Sequence, residues 1–261
     1  MGTITKALNL LNHFTELTPS IGLVEMTRLS GQDKATVHRY LTELERNGFL
    51  EQDSKTRKYR LGSALLRLSF LREKSFPISR IIANRVNGLS EELGELVHAS
   101  LLQGNRLSPL CYRDAGSGGT RVYFDLADMI PFHATASGMA MLAFGDKALV
   151  KNALVEPLAR FTENTITDPK LLLARVETIR SAGFAFSDQA VEVDVSSVAV
   201  PFYQDENQAT GAIAIAVPVT RMNAASKTRF VHALWRTSEA ITKELGGSVP
   251  AEVKKIWRDE G

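Results

Sequence analysis

One amphipathic helix near the N-terminus restricts the fold of this chain more than any other feature of the sequence. Val37, Leu41 and Leu44 follow one another at positions i, i+4 and i+7, which predicts a helix with one apolar face. Asp33 is a plausible N-cap before this helix, and Gly48 is a typical stop after it. The opposite face presents mainly polar and cationic residues to solvent, namely Lys34, Ala35, His38, Arg39, Thr42 and Arg46.

Two further helices are predicted before this one. Apolar residues recur at helical spacing over residues 4–14, and a Thr-Pro-Ser sequence then breaks the pattern. A short second helix is expected over 23–30, with Met26 and Leu29 facing inward. Gly31 supplies the turn into the third helix, because glycine tolerates a positive φ without Cβ strain.

A basic hairpin is predicted after the third helix. Two short strand-like runs, 49–52 and 58–62, flank a polar turn. Four cations lie within six positions of this hairpin, at Lys55, Arg57, Lys58 and Arg60. A helix-turn-helix followed by such a hairpin is a winged helix-turn-helix, here over residues 21–62. Its third helix fits the major groove of B-DNA, and the wing neutralises phosphates or enters the minor groove.

The predicted partner of this region is therefore double-stranded DNA. The residues predicted to contact it are Lys34, Ala35, Thr36, His38, Arg39, Thr42, Arg57 and Lys58. Residues 1–63 carry nine lysines and arginines against seven acids, whereas the remainder carries twenty-two of each, so the excess positive charge lies in the first quarter. A small protein-binding module is the alternative, but such a module needs no cationic helix face combined with a basic wing.

Three short stretches also give this region a family resemblance. They read Lys-Ala-Thr-Val-His-Arg-Tyr-Leu over 34–41, Leu-Glu-Arg-Asn-Gly-Phe-Leu over 44–50 and Tyr-Arg-Leu-Gly over 59–62. This pattern resembles the IclR family of bacterial transcription regulators, from whose usual recognition helix Ala35 and Tyr40 are mild departures. The resemblance implies a repressor or activator that binds an inverted-repeat operator as a homodimer or a dimer of dimers.

The length of 261 residues favours two domains over one. We expect the winged domain over 1–63, a linker helix over 64–75, an effector-binding and oligomerisation domain over 76–247 and a C-terminal tail over 248–261. The linker carries an apolar stripe of Leu65, Leu66, Leu68 and Leu71. This stripe is either ordinary core or a dimer seam, and the family resemblance favours the seam.

A cytoplasmic location is expected. Cys111 is the only cysteine, which excludes an intrachain disulfide and fits a reducing compartment. The first residues lack the pattern of a cleavable signal, and no apolar run approaches the roughly 20 residues that span a bilayer. We therefore predict no association with membranes.

The larger C-terminal region mixes helical and strand patterns. Helices are predicted over 78–93, 135–144, 169–182 and 223–245. Strands are predicted over 96–102, 107–112, 121–126, 184–187, 195–203 and 210–217. A largely antiparallel sheet flanked by helices is an α+β fold of the kind found in sensor domains.

Three stretches here, 131–140, 179–185 and 198–201, resemble the IclR effector domain, which has a GAF-like architecture. The predicted fold is thus α+β, with an N-terminal winged helix-turn-helix and a C-terminal GAF-like effector-binding domain. The resemblance implies a ligand pocket in which Ser187, Asp188 and Ser197 lie across from Ile130 and Phe132, the apolar walls.

A small organic acid is the predicted effector. Ala136, Ser137 and Gly138 begin a predicted helix, where N–H groups have no intrahelical partner and the helix dipole favours an anion. Ser137 could instead merely cap the helix, and His133 is as consistent with a structural imidazole as with a ligand contact. Three departures from the family pattern affect the chemistry of the pocket, at Met139, Ser187 and Asp194.

Catalysis is not predicted. No Gly-x-Ser-x-Gly motif surrounds Ser137, and no histidine has the spacing of a metal ligand set. The glycines at 116–119 do not directly precede a helix, so they do not form a phosphate-binding motif. We expect no metal and no cofactor. The alternatives for the C-terminal domain are an oligomerisation module without a functional ligand and an enzyme that processes a small molecule.

Overall fold

The computed structural model describes residues 2–15, 17–116, 120–124, 130–154, 157–204 and 208–259. The chain divides into two compact units, Met1–Pro77 and Ile78–Gly261, and the predicted linker helix falls within the first. Among the described residues, no helix is long and apolar enough to cross a membrane.

The first unit is a winged helix-turn-helix. Its elements are α1 (Thr3–Asn9), a 3-10 turn (Leu10–His13), α2 (Leu23–Ser30), α3 (Lys34–Arg46), β1 (Leu50–Gln52), β2 (Tyr59–Leu61) and α4 (Ser63–Ser75). Its core gathers the apolar face of each helix around residues such as Leu10, Ile21, Met26, Leu41 and Leu50, all of which are fully buried. The wing pairs antiparallel with Leu50 opposite Leu61 and Gln52 opposite Tyr59.

One inward position on α2 was predicted wrongly. Met26 is fully buried, but Leu29 is 39% exposed. At about 100° per residue, Leu23 and Met26 lie roughly 60° apart on the helix, and Leu29 lies a further 60° beyond Met26. Because Leu23 packs against the core, the buried face is centred between Leu23 and Met26, and Leu29 falls at its margin.

The second unit is an antiparallel sheet with helices packed on it. Its elements are α5 (Ile78–Leu93), β3 (Leu96–Gln103), β4 (Arg106–Asp114), α6 (Ala136–Phe144), α7 (Lys147–Ala153), α8 (Pro169–Ala182), β5 (Ala185–Asp188), β6 (Val195–Tyr203), β7 (Ala209–Pro218), a 3-10 turn (Val219–Arg221), α9 (Ala224–Glu244) and α10 (Ala251–Asp259). The strand order is β4-β3-β7-β6-β5, and every pairing is antiparallel. The predicted α+β fold class is confirmed.

One predicted strand is absent. Residues 121–124 have no regular structure, and residues 125–126 of the same prediction lie outside the described part of the chain. The backbone here is held by side chains instead of a strand ladder, because Arg121 donates to the carbonyl of Gly116 and Arg221 donates to that of Thr120.

One face of the sheet is lined with small residues. The register aligns a row of Ser187, Ser197, Ala216 and Leu96 across four strands. The next row on the same face contains Ala185, Ala199, Ala214 and His98, because residues two apart on a strand share a face. Helix α6 packs against β6 and β7, and its own first residues are small.

The C-terminal region 248–261 contains helix α10. Trp257 of this helix is 7% exposed, stacks on Trp235 of α9 with ring centroids 6.1 Å apart, and donates from Nε1 to the carbonyl of Gly183 at 2.9 Å. These contacts make α10 part of the core of the second unit.

Candidate DNA-binding surface and ligand cavity

The start of α3 is fixed by two backbone devices. Gly31 adopts the left-handed conformation, with φ of 62°, and ends α2. Asp33 then caps α3 by accepting a hydrogen bond from the N–H of Thr36 at 2.9 Å, as predicted. Hydrogen bonds from the backbone and side chain of Thr36 lower the pKa of the Asp33 carboxyl, so the charged cap is favoured.

Helix α3 separates its residues into an inner and an outer face. Val37, Tyr40, Leu41 and Leu44 are buried. The exposed residues include five of the predicted DNA contacts, Lys34, Ala35, His38, Arg39 and Thr42, whereas Thr36 is half-buried. Arg46 forms an ion pair with Glu43. In the part of the chain that the structure describes, no such pair occupies Lys34 or Arg39, which leaves both cations on the open face.

The wing turn is held by Asp53. Its carboxylate accepts hydrogen bonds from the N–H groups of Lys55 and Thr56, at 3.0 and 2.7 Å, and from the Thr56 hydroxyl. Arg57 follows in the left-handed conformation, with φ of 57°. This geometry sets where Arg57 and Lys58 leave the hairpin.

One of the four wing cations is tied down within the hairpin. Arg60 donates from Nε and Nη2 to Oε2 of Glu51, at 3.2 and 3.1 Å. The other carboxylate oxygen of Glu51 accepts the N–H of Ser63 at 3.2 Å, at the first turn of α4. Glu51 therefore joins the wing to the start of α4, and Arg60 is less available to a phosphate than Arg57 or Lys58.

A groove brings part of the predicted DNA surface together. It has a volume of about 580 Å³ and is lined by His38 of α3 and by Arg57 and Lys58 of the wing, with residues of α2 along one side. Sequence reasoning assigned His38 to the third helix and Arg57 and Lys58 to the wing. The fold places them around one concave surface.

The second unit contains a cavity of about 400 Å³ between the small-residue face of the sheet and the start of α6. Five of the eight predicted effector residues line it: Ile130, Ala136, Ser137, Ser187 and Ser197. The volume lies within the usual range of small-molecule sites.

Ser137 is not the cap of α6. The cap is Thr135, whose hydroxyl accepts the N–H of Gly138 at 2.9 Å and donates to the carbonyl of Pro131 at 2.8 Å. The hydroxyl of Ser137 is buried and has no hydrogen-bond partner among the described residues. With Gly138 capped, the N–H groups of Ala136 and Ser137 remain as the donors of the first turn beside the cavity.

Three predicted effector residues lie outside the cavity lining. The N–H of Gly138 is used by the cap, and a Cβ there would approach the carbonyl oxygen of Pro131 to 2.4 Å, so this glycine serves close packing. Asp188 follows Ser187 on β5 and therefore faces the other side of the sheet, where it accepts a hydrogen bond from Ser196 at 2.7 Å. Phe132 packs against the main core instead.

His133 has a structural role. Its Nε2 lies 2.8 Å from the carbonyl oxygen of Ala159, and its ring stacks on Phe161 at a centroid distance of 5.9 Å. Phe161 in turn lines the cavity. His133 therefore supports a wall of the site.

Several lining residues were not predicted from the sequence. They are His98, Val122, Tyr123, Phe124, Pro131, Thr135, Phe161, Val191, Glu192, Val195 and Ala216. His98 is the main polar addition. It is 7% exposed and stacks on Phe124 with centroids 4.2 Å apart, and burial lowers its pKa to about 4, so the imidazole is neutral at neutral pH. Its position on the cavity face follows from the β3–β7 register, which the sequence alone does not give.

Side-chain contacts position the wall that contains Phe124. Arg221 forms a bidentate ion pair with Glu95, with its closest contact at 2.8 Å, and also donates to the carbonyl of Thr120 at 3.1 Å. Arg121 lies 3.7 Å from the carboxylate of Asp114. These contacts anchor the segment that leads into Val122–Phe124.

The charges around the cavity are sparse. No lysine or arginine is among its described lining residues. Glu192 lies on the lining, and burial together with the nearby Asp194 raises the pKa of its carboxyl. An anion in the cavity could therefore accept hydrogen bonds from the amides of the first turn of α6 and from serine hydroxyls. The carboxyl group of Glu192 nearby disfavours further negative charge.

The chain matches known protein families along most of its length. Residues 3–54 match the IclR helix-turn-helix domain, and residues 73–243 match the domain described as bacterial transcriptional regulator IclR C-terminal. The HTH-type transcriptional regulator XynR of Escherichia coli K12 is 26% identical over 246 residues, which cover 94% of this chain and 97% of XynR.

Solved structures show the same architecture. A protein from Silicibacter sp. TM1040, described as an ICLR transcriptional regulator, is 40% identical with a TM-score of 0.88, over 96% of this chain and 99% of that one. An IclR homologue from Microbacterium hydrocarbonoxydans, crystallised with 4-hydroxybenzoate, is 20% identical with a TM-score of 0.75, over 94% and 99% of the two chains.

Proposed function

The chain belongs to the IclR family of bacterial transcriptional regulators, and we propose that it binds an inverted-repeat DNA site in response to a small organic acid. Membership of the family makes it a DNA-binding regulator with a C-terminal effector domain and not an enzyme. The operator symmetry, the effector chemistry and the assembly are the proposal.

The convergence of His38, Arg57 and Lys58 on one groove supports the proposed mode of DNA binding. Side chains of the first two turns of α3, including Lys34 and Arg39, reach base edges in the major groove, while the wing meets phosphates. Two such units related by a dyad would contact half-sites about 34 Å apart, or a multiple of that distance.

Arg39→Ala tests this placement. We expect it to weaken specific binding in footprinting on the cognate operator, because an arginine on the exposed face is removed. Arg46→Ala is the matched control, since Arg46 lies on the last turn of the same helix and is paired with Glu43. Equal footprints for the wild type and Arg39→Ala would contradict the proposed orientation of α3.

Pairing of two copies through α4 is supported by the exposure of its apolar side chains. Leu66 is 76% exposed and Phe70 is 66% exposed, and no residue of α4 is buried. A helix with this much open apolar surface is typical of an association surface. Phe70→Glu should shift sedimentation towards smaller species, because it places a charge in this apolar surface. An unchanged profile for Phe70→Glu would contradict pairing through α4.

The effector proposed for the cavity is a small monocarboxylic acid. Its carboxylate would accept from the amides of Ala136 and Ser137, and its apolar part would contact Ile130 and Phe124. The IclR homologue that was crystallised in complex with 4-hydroxybenzoate, and whose chain has the same fold, supports a small carboxylic acid as the ligand. Shifts in the pairing geometry on binding would change the match between the recognition helices and the operator.

Calorimetric titration with a panel of carboxylic acids and uncharged analogues tests the effector proposal. A bound acid should also raise the melting temperature, because it binds only the native state. The alternative of an oligomerisation module without a ligand predicts no heat of binding and no thermal shift. Binding of uncharged analogues alone would contradict the carboxylate assignment.

A further inference from the structure

The loop between β5 and β6 places an acid at the mouth of the cavity. Glu192 of this loop lines the cavity and remains exposed at its rim. Two backbone hydrogen bonds close the loop, because the N–H of Gln189 donates to the carbonyl of Val195 at 2.9 Å and the N–H of Val195 donates to that of Glu192 at 3.4 Å. The closed loop gives Glu192 a defined place at the mouth.

A second segment is bonded to this loop and brings an aromatic ring beside it. The hydroxyl of Thr162 donates to the carbonyl of Gln189 at 2.6 Å. The hydroxyl of Thr165, which is 4% exposed, donates to the carbonyl of Ala190 at 2.6 Å. Phe161, the residue before Thr162, lines the cavity and is 45% exposed. Its ring therefore lies on the same side of the mouth as the acid.

The start of α6 lies on this side of the cavity as well. Ser187 of β5, the strand that leads into the loop with Glu192, donates to the carbonyl of Ala134 at 2.7 Å, two residues before α6 begins. In the first turn of α6, Oγ of Ser137 is buried and has no hydrogen-bond partner among the described residues. Buried polar atoms are nearly always paired, so this hydroxyl marks the place of a polar ligand group.

A carboxylate alone is poorly matched to this side of the cavity. Partial burial and the like charge of Asp194 raise the pKa of the Glu192 carboxyl, and no lysine or arginine among the described lining residues offsets these acids. A ligand carboxylate at the start of α6 adds a further negative charge. An ammonium group on the same ligand offsets this repulsion, because it can pair with Glu192 and lie against the face of Phe161.

The opposite side of the cavity is mainly apolar. Ile130 forms a bridge to Leu107 of β4, and the ring of Phe124 lies 5.6 Å from that of Tyr112 on the same strand. Both residues line the cavity, as does Val122. Strands β4 and β5 are the two edges of the sheet, so this apolar wall lies away from the acid. An apolar part of the ligand fits against it.

We propose that Glu192 and Phe161 form a subsite for an ammonium group, so that the effector is an α-amino acid with an apolar side chain. Its carboxylate accepts hydrogen bonds from the first turn of α6, and its side chain extends towards Phe124. This inference rests on the proposed function, because it takes the start of α6 as the carboxylate site.

Calorimetric titration of the full-length protein with two matched sets of probes tests this subsite. The first set is L-leucine, 4-methylpentanoate without the ammonium group and 3-methylbutylamine without the carboxylate. The second is L-phenylalanine, 3-phenylpropanoate and 2-phenylethylamine. In at least one set, the amino acid should bind roughly fivefold or more tightly than its des-amino acid, because an exposed ion pair and a cation–π contact each contribute about two- to fivefold. The amine should bind more weakly than the amino acid.

Three variants assign this preference to the subsite. Glu192→Gln should lower it by about threefold or more without weakening the des-amino acid. Glu163→Gln is the matched control and should not lower it, because Glu163 is an exposed acid near Phe161 in sequence but is not among the lining residues. Phe161→Leu keeps an apolar contact without the ring and should lower the preference by about twofold or more. If Phe161→Leu fails to melt cooperatively, Glu192→Gln alone decides.

The outcomes separate the subsite from the effector proposal. Equal or tighter binding of both des-amino acids overturns the subsite while their binding upholds a carboxylate effector. A preference that Glu192→Gln leaves intact, or that Glu163→Gln lowers equally, also overturns it. Amines that bind as tightly as the amino acids overturn the carboxylate site and with it this inference. Failure of all six probes overturns the subsite, whereas binding of another acid in the wider panel would still uphold the effector proposal.

Discussion

Replacing Gly62 by alanine tests how the wing is joined to helix α4. Gly62 adopts an ordinary extended conformation, with φ of −95°, so its backbone alone does not require glycine. A Cβ at this position would lie 2.3 Å from the carbonyl oxygen and 2.9 Å from the carbonyl carbon of Gly48, and 3.0 Å from the carbonyl carbon of Leu50. These are backbone atoms, which cannot move aside as the end of a flexible side chain can.

The loss of stability in Gly62→Ala can be estimated from the contacts that the added Cβ must push apart. Gly62 donates its N–H to Phe49 at 2.8 Å, and Ala64 donates to Gly48 at 3.0 Å, so moving the chain apart strains both hydrogen bonds. Overpacking costs about 1–3 kcal/mol and each of the two weakened hydrogen bonds about 0.5–1.5 kcal/mol, which together give roughly 2–6 kcal/mol. A unit of 77 residues has a total stability of roughly 4–12 kcal/mol, so even a loss of about 2 kcal/mol would remove at least about a sixth of it.

Hydrogen exchange measured by mass spectrometry separates the two units. Amides of α3 that exchange through opening of the first unit should exchange roughly 30-fold faster or more in Gly62→Ala, because about 1.4 kcal/mol corresponds to tenfold. Gly88→Ala is the matched control, since Gly88 lies within α5 and a Cβ there meets nothing within 4 Å. If α3 exchanged at the wild-type rate in Gly62→Ala, the close approach to Gly48 would be refuted.

Four further predictions concern single residues. Because burial depresses the pKa of His98 from 6.5 to about 4, its neutral form stabilises the second unit above pH 6.5, and about 3 kcal/mol should be lost as the pH falls towards 4. Denaturant unfolding across this range should show a flatter pH dependence for His98→Phe. The lowered pKa of Asp33 likewise gives stability that is present above its usual value of 3.8 and lost below it. Asp33→Asn, which still caps, should lack this loss in thermal melts. Lys58→Ala should reduce the slope of log K for operator binding against log salt concentration by about 0.9, because one phosphate contact is removed. Arg60→Ala should reduce this slope by less, because Arg60 is paired with Glu51 in the wing. Fluorescence anisotropy at several salt concentrations measures both slopes. Trp257→Ala should destabilise the second unit by about 3–5 kcal/mol in denaturant unfolding, with a smaller loss for Trp257→Phe.

The winged domain could be predicted closely from the sequence because its signals are local. The spacing of Val37, Leu41 and Leu44 identified the buried face of α3, and the Asp33 cap and the Gly31 turn involve residues at most three positions apart. Leu29 was the exception, since its burial depends on where a two-turn helix meets its neighbours and not on spacing alone. The need for glycine at 62 was equally hidden, because it arises from the approach of Gly48, fourteen positions away.

The cavity was predicted only in part because it is assembled from distant segments. The start of α6 could be located from its small residues, and Ser187 and Ser197 from the family resemblance. His98 could not be found in this way, because a lone histidine on a predicted strand has two possible faces. Only the register with β7 turns it towards the cavity. Asp188 illustrates the same limit, since a shift of one position along β5 reverses the side of the sheet.

The junction at Gly62 gives a physical reason why a signal that reaches α4 would affect the DNA surface. Glu51 accepts hydrogen bonds from Arg60 of the wing and from the N–H of Ser63, the first residue of α4, and the N–H of Ala64 donates to the carbonyl of Gly48 in the turn that ends α3. The first turn of α4 is thus fixed to the end of the recognition helix and to the wing at once. A rotation of α4 would therefore carry both DNA-contacting elements with it, and two copies paired through α4 would convert a change in pairing angle into a change in half-site spacing.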